Sequence, residues 1–185
     1  MYKIILLSFV FIITISCDNN EIKNDNIETV NIYDIKTVTG IYLRKSNNDE
    51  YLKLGNPYSK TESYLSIFPN PVADDVISIS VNELYASNSN NSLSDVWFLK
   101  CNPVKTDNTI ELKKIDYLES EINQKSNYHL KPNIENLNGG FFIDVRGYQS
   151  GYYKIFIKSN DTIVWDIIYI QEQDFSFEKF VEYWK

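Results

Sequence analysis

The stretch Gly151-Tyr-Tyr-Lys-Ile-Phe-Ile-Lys-Ser-Asn-Asp-Thr-Ile-Val-Trp-Asp-Ile-Ile-Tyr-Ile170 decides the fold. Tyr153, Ile155 and Ile157 fall on alternate positions. Asn160-Asp161 breaks the run, and Ile163, Trp165, Ile167 and Tyr169 resume it. A period of two marks a strand, and a two-residue break rich in turn formers predicts a β-hairpin. The same pattern recurs toward the N-terminus. Val76–Val81 places Ile77, Ile79 and Val81 on one face, Val96–Cys101 reads as a strand, and Phe141–Val145 follows the turn signal Asn138-Gly139-Gly140. Tyr64–Phe68 is a short apolar run stopped by Pro69-Asn70-Pro71. Ile32–Arg44 and Tyr51–Leu54 flank Ser46–Asp49 and read as a second hairpin, closed by Gly55-Asn56-Pro57.

The intervening stretches are expected to be irregular. Asn82–Asp95 reads as a loop and Pro103–Asn108 as a turn. In residues 110–122, Leu112, Ile115, Leu118 and Ile122 fit a helical stripe as well as a strand followed by a loop. Phe175–Trp184 is an aromatic tail in which Phe177, Phe180, Val181 and Trp184 would share one face of a short helix. Short strands separated by turn signals predict an all-β, antiparallel sandwich.

Charge narrows the function. A net charge of −7 and a pI near 4.8 exclude the basic footprint that nucleic acid requires, and any polybasic attraction to anionic lipid. His129 is the only histidine and lies outside any nucleophile pattern, so a structural or solvated role is expected. Zinc would need more His or Cys than the chain has. Cys101 sits in an apolar strand and reads as a buried, inert thiol. Asp74-Asp75 reads as a pair of turn acids before a strand. Asn47-Asn48-Asp49-Glu50 lacks the spacing of a calcium loop. No enzyme and no cofactor is expected. Trp97, Trp165, Tyr152 and Tyr153 are the candidate ligand-binding aromatics, as a platform for sugar rings, although half of any strand's residues face a core.

The N-terminus sets location. Lys3 is followed by an almost wholly apolar run from Ile4 to Ile15, too short to span about 30 Å of hydrocarbon comfortably but of the length of a secretory signal peptide. The run stops at Ser16-Cys17. Thr14-Ile15-Ser16-Cys17 resembles the lipobox of bacterial lipoproteins, with Thr14 where that family has leucine. The resemblance implies that residues 1–16 are removed and that Cys17 carries the lipid. The membrane is then the first partner, and the expected location is the outer membrane of a gram-negative envelope. Residues 17–26 would be the lipidated cysteine and a polar tether, Asp18–Asn26. With Cys17 acylated, Cys101 has no intramolecular disulfide partner.

Two further stretches carry a second resemblance. Phe68-Pro-Asn-Pro-Val-Ala-Asp-Asp-Val-Ile-Ser-Ile-Ser-Val81 is similar to the opening motif of the C-terminal sorting domain of type IX secretion substrates. Ile143–Ile157 is similar to that domain's later motif. The resemblance implies an immunoglobulin-like β-sandwich over 64–170, preceded by a hairpin region at 27–63 and followed by the tail at 171–185. The expected function is a non-catalytic envelope lipoprotein that binds or builds, with envelope proteins or glycans as partners. The alternatives are a sorting module and a glycan-binding surface lipoprotein.

Overall fold

A computed structural model describes residues 31–46, 51–58, 65–81, 92–107, 111–112, 115–134 and 140–185. The expected hairpin forms from β9 (Gly151–Ser159) and β10 (Thr162–Ile170), in register from Thr162 opposite Ser159 to Ile170 opposite Gly151. Its turn needs one residue in the left-handed region, and Asn160 takes it with φ of 52°. The Asn160 carboxamide also accepts from the Ser92 hydroxyl at 3.0 Å, which clamps the turn to the start of β6 (Leu93–Pro103).

β6 is the spine of the larger sheet. It pairs antiparallel with β9 along Leu93–Cys101 and with β7 (Tyr128–Leu130) on its other side. β1 (Thr37–Val38) runs parallel to its C-terminal end, the one parallel strand pair among the described residues. β4 (Leu65–Phe68), β5 (Val76–Val81) and β8 (Gly140–Asp144) make a three-stranded antiparallel sheet. β2 (Gly40–Leu43) and β3 (Leu52–Gly55) form the second expected hairpin. The fold is all-β with mainly antiparallel sheets, with two short helices among the described residues, α1 (Glu119–Lys125) and α2 (Phe177–Trp184).

The larger sheet is covered on both faces. One face is mainly aliphatic: Val96, Ile155, Ile157, Val164 and Ile168 pack against Ile67, Ile77, Ile79 and Ile143 of the smaller sheet. The other is aromatic: Trp97, Tyr152, Phe156 and Trp165 lie in one cluster with Ile41 and Leu54 of the β2–β3 hairpin, Ile122 of α1, and Phe180 and Trp184 of α2. The hairpin of region 27–63 and the tail 171–185 therefore share a core with region 64–170. Alternation along β9 and β10 separates two buried faces, so these strands read as near-continuous apolar runs.

Several expectations need correction. Leu93–Asp95 belongs to β6 and not to a loop. In the stripe left open between a helix and a strand followed by a loop, only Ile122 lies inside α1, and Leu118 at its N-cap is 70% exposed. The stretch around His129, which carries no strand signal in the sequence, forms β7 because pairing with β6 supplies its backbone partners. In α2, Phe180 and Trp184 are buried one turn apart, whereas Phe177 is exposed. The Asn47–Glu50 stretch lies outside the described residues.

Candidate functional site

Cys17, the expected lipid site, also lies outside the described residues. The four candidate aromatics are all buried: Trp97 is 0% exposed, Trp165 1%, Tyr153 1% and Tyr152 7%. Trp97, Trp165 and Tyr152 belong to the aromatic cluster and Tyr153 to the aliphatic one, so these four side chains do not form one open platform. The sequence argument allowed each strand one solvent face. The cover of hairpin and helices removes that face on β9 and β10.

Their polar atoms are mostly held inside the protein. Trp97 Nε1 donates to Asn123 Oδ1 at 2.7 Å, and Tyr153 donates to the Gln149 carbonyl at 2.8 Å. Tyr152 Oη accepts from Trp184 Nε1 at 2.9 Å. Trp165 Nε1 is buried without an acceptor. His129 stacks on Trp97 with centroids 5.0 Å apart and meets Asp95 Oδ1 at 2.7 Å through Nε2, so its ring is engaged on one face and one edge. Cys101 is buried, its thiol pushed up to about 11 by burial, which keeps it protonated near neutrality. Asp74 and Asp75 are exposed just before β5. Among the described residues no three His, Cys, Asp or Glu side chains gather as a metal would require. No described helix is long and apolar enough to cross a membrane.

Two buried polar residues sit between the layers: Asn70, which the sequence placed only in a turn or sorting motif, and Lys154, which it did not single out. Asn70, 3% exposed, donates through Nδ2 to the carbonyls of Tyr42 at 2.6 Å and Ile167 at 2.9 Å, and its Oδ1 accepts from Tyr169 N at 3.1 Å. Lys154, 2% exposed, donates to Tyr117 Oη at 3.1 Å and lies 4.9 Å from the centre of the Trp165 ring. Burial pushes its amine down to about 8.

No family model matches the chain, and no curated protein or solved structure matches it.

A candidate site lies where residues 171–176 carry the chain from β10 into α2. A cavity of about 320 Å³ opens there. Tyr169, Phe175 and Phe180 form one wall, with centroids 4.7 to 5.7 Å apart. Tyr183, 38% exposed, lines the cavity as well. Glu172, Asp174 and Lys179 bring charge to its lining, and Tyr169 Oη donates to Glu172 Oε1 at 3.3 Å. Ser176 caps α2 by accepting from Lys179 N at 3.4 Å, which fixes where the helix starts. Of the four candidates only Tyr152 reaches this cavity. The sequence signal for the rest was the apolar spacing in the tail, which pointed to a helix and not to a pocket beside it.

Proposed function

We propose that the protein is a cell-envelope lipoprotein whose β domain binds or builds without catalysing a reaction. Residues 1–16 act as the signal peptide, Cys17 carries the lipid, and residues 17–26 tether the domain to the outer membrane. The observation that carries this reading is the apolar run Ile4–Ile15 behind the lone Lys3, ending at Ser16-Cys17. Two or more acyl chains on that cysteine suffice for stable anchoring. The domain is proposed to be an immunoglobulin-like sandwich, supported by the aliphatic core that the two sheets share. A non-catalytic role is supported by Cys101, whose thiol is buried and held protonated near neutrality. Labelled palmitate is expected to enter the wild-type chain and not Cys17→Ser; equal incorporation into both overturns the anchor.

The sorting-module reading rests on the Phe68-Pro69-Asn70-Pro71 motif. Asn70 gives that motif a structural job, which favours the first reading. The β2–β3 hairpin belongs to the core, so a transfer test needs residues 27–185 behind a periplasmic reporter in a host with type IX secretion. The reporter is expected to stay in the periplasm, and its release outside the cell would make the sorting reading the better one.

A further inference from the structure

We propose that the cavity beside α2 binds one pyranose ring of a neutral glycan. The inference rests on the reading of the domain as a binding module and names the ligand class for it. About 320 Å³ lies at the small end of the range for ligand sites, enough for one ring and too little for an extended chain. Half-buried Phe175 and Tyr183, 38% exposed, offer the accessible ring surface, backed by the buried rings of Tyr169 and Phe180, and a sugar carries C–H groups on its faces that pack on such surface. Around the wall, Glu172 and Asp174 are acceptors and Lys179 is a donor. Hydroxyl groups of a pyranose both donate and accept, so a single ring can use all three.

Other ligand classes fit less well. An anion would meet two carboxylates at short range. An organic cation could use the carboxylates and the rings, but the site already holds its own cations. Lys179 lines the cavity, and Lys105 Nζ lies 5.3 Å from the centre of the Tyr183 ring. An alkyl chain would strip water from Glu172, Asp174 and Lys179 without replacing their hydrogen bonds.

The test is ligand-observed saturation-transfer NMR on the full-length protein solubilised in detergent. The probes are the methyl pyranosides of glucose, galactose and mannose, and N-acetylglucosamine, with choline and acetate as controls. Saturation is expected to reach the ring protons of at least one sugar. Its affinity should fall at least about ten-fold in Phe175→Ala and in the double variant Glu172→Ala, Asp174→Ala, which removes both acceptors. Tyr51→Ala, exposed and outside the cavity, should bind like the wild type. The two acids are exposed, so the double variant carries the test if Phe175→Ala perturbs folding. Absence of transfer to every sugar, or binding unchanged in the double variant, overturns the assignment. Binding of choline or acetate at these residues in place of a sugar also overturns it, while leaving a binding module. Palmitate labelling at Cys17 reads the anchor separately, so the two proposals fail independently.

Discussion

Asn70 uses both amide protons and its carbonyl on main-chain groups from two elements, Tyr42 on β2 and Ile167 and Tyr169 on β10. Asn70→Ala would leave those groups without their partner in a dry interior, at about 1–3 kcal/mol each before relaxation. A loss of about 3 kcal/mol in chemical denaturation is expected, and a loss below about 1 kcal/mol would show that water replaces the brace. Lys154 works in the other direction. Its folded-state pKa of about 8 lies below the 10.5 of an unfolded lysine, and burial outweighs the opposing influence of Cys101, Asp34 and Glu121. Between those two values the unfolded chain holds a proton that the folded chain lacks, so stability rises with pH. Below about 8 the penalty is full, on the order of 3 kcal/mol. The contacts with the Tyr117 and Trp165 rings recover about 0.5–2 kcal/mol, less than burial removes. Lys154→Met is therefore expected to be the more stable protein near pH 7, with the gap closing by about pH 10. Above that, tyrosines such as Tyr153 and Tyr169, raised to about 12 by burial, stay protonated in the folded chain only, and stability should fall. Urea midpoints measured across this range check both signs; a variant no more stable at pH 7 would remove the penalty.

Elements explain why some of this was legible and some was not. The period of two in Gly151–Ile170 located β9 and β10 and their turn, because strand geometry sends alternate side chains to opposite faces whatever covers them. It could not say that both faces are covered, since that depends on α2 and the β2–β3 hairpin arriving from opposite ends of the chain. The candidate aromatics were accordingly placed on the right strands, but which of their faces is open could not be read there. β7 escaped because three residues carry no period, and its existence depends on β6 beside it. The spacing of Phe180 and Trp184 announced a helix face, but the surface it lands on is long-range information. That landing depends on Gly55, which has φ of 65°; a Cβ there would lie 2.6 Å from the Trp184 ring and 2.7 Å from the Thr39 carbonyl. Gly55→Ala thus faces both an unfavourable backbone angle and a clash. It should destabilise the protein by more than about 1 kcal/mol and red-shift tryptophan emission as α2 is displaced. A variant with wild-type stability and emission would mean that the helix docks more loosely than its contacts imply.

At the scale of the whole molecule, two cores share one sheet. β9 supplies Ile155 and Ile157 to the aliphatic core and Tyr152 and Phe156 to the aromatic one; β10 divides Val164 and Ile168 from Trp165 and Ile167 in the same way. Each core packs on strands that the other core also needs in place, so the layers are expected to unfold together. The chain reports on this directly. Its three tryptophans, Trp97, Trp165 and Trp184, all lie in the aromatic core, so fluorescence follows that layer alone, whereas far-ultraviolet dichroism follows every sheet. The two signals are expected to give one midpoint in urea. Ile155→Ala, 0% exposed and confined to the aliphatic core, should move both to lower urea together, at a cost of about 2–5 kcal/mol. A fluorescence transition that precedes the loss of dichroism, with only the later one shifted by Ile155→Ala, would show that the hairpin and helices peel away first. The cover over the aromatic face, and with it the cavity beside α2, would then be a separately opening layer on a two-sheet base.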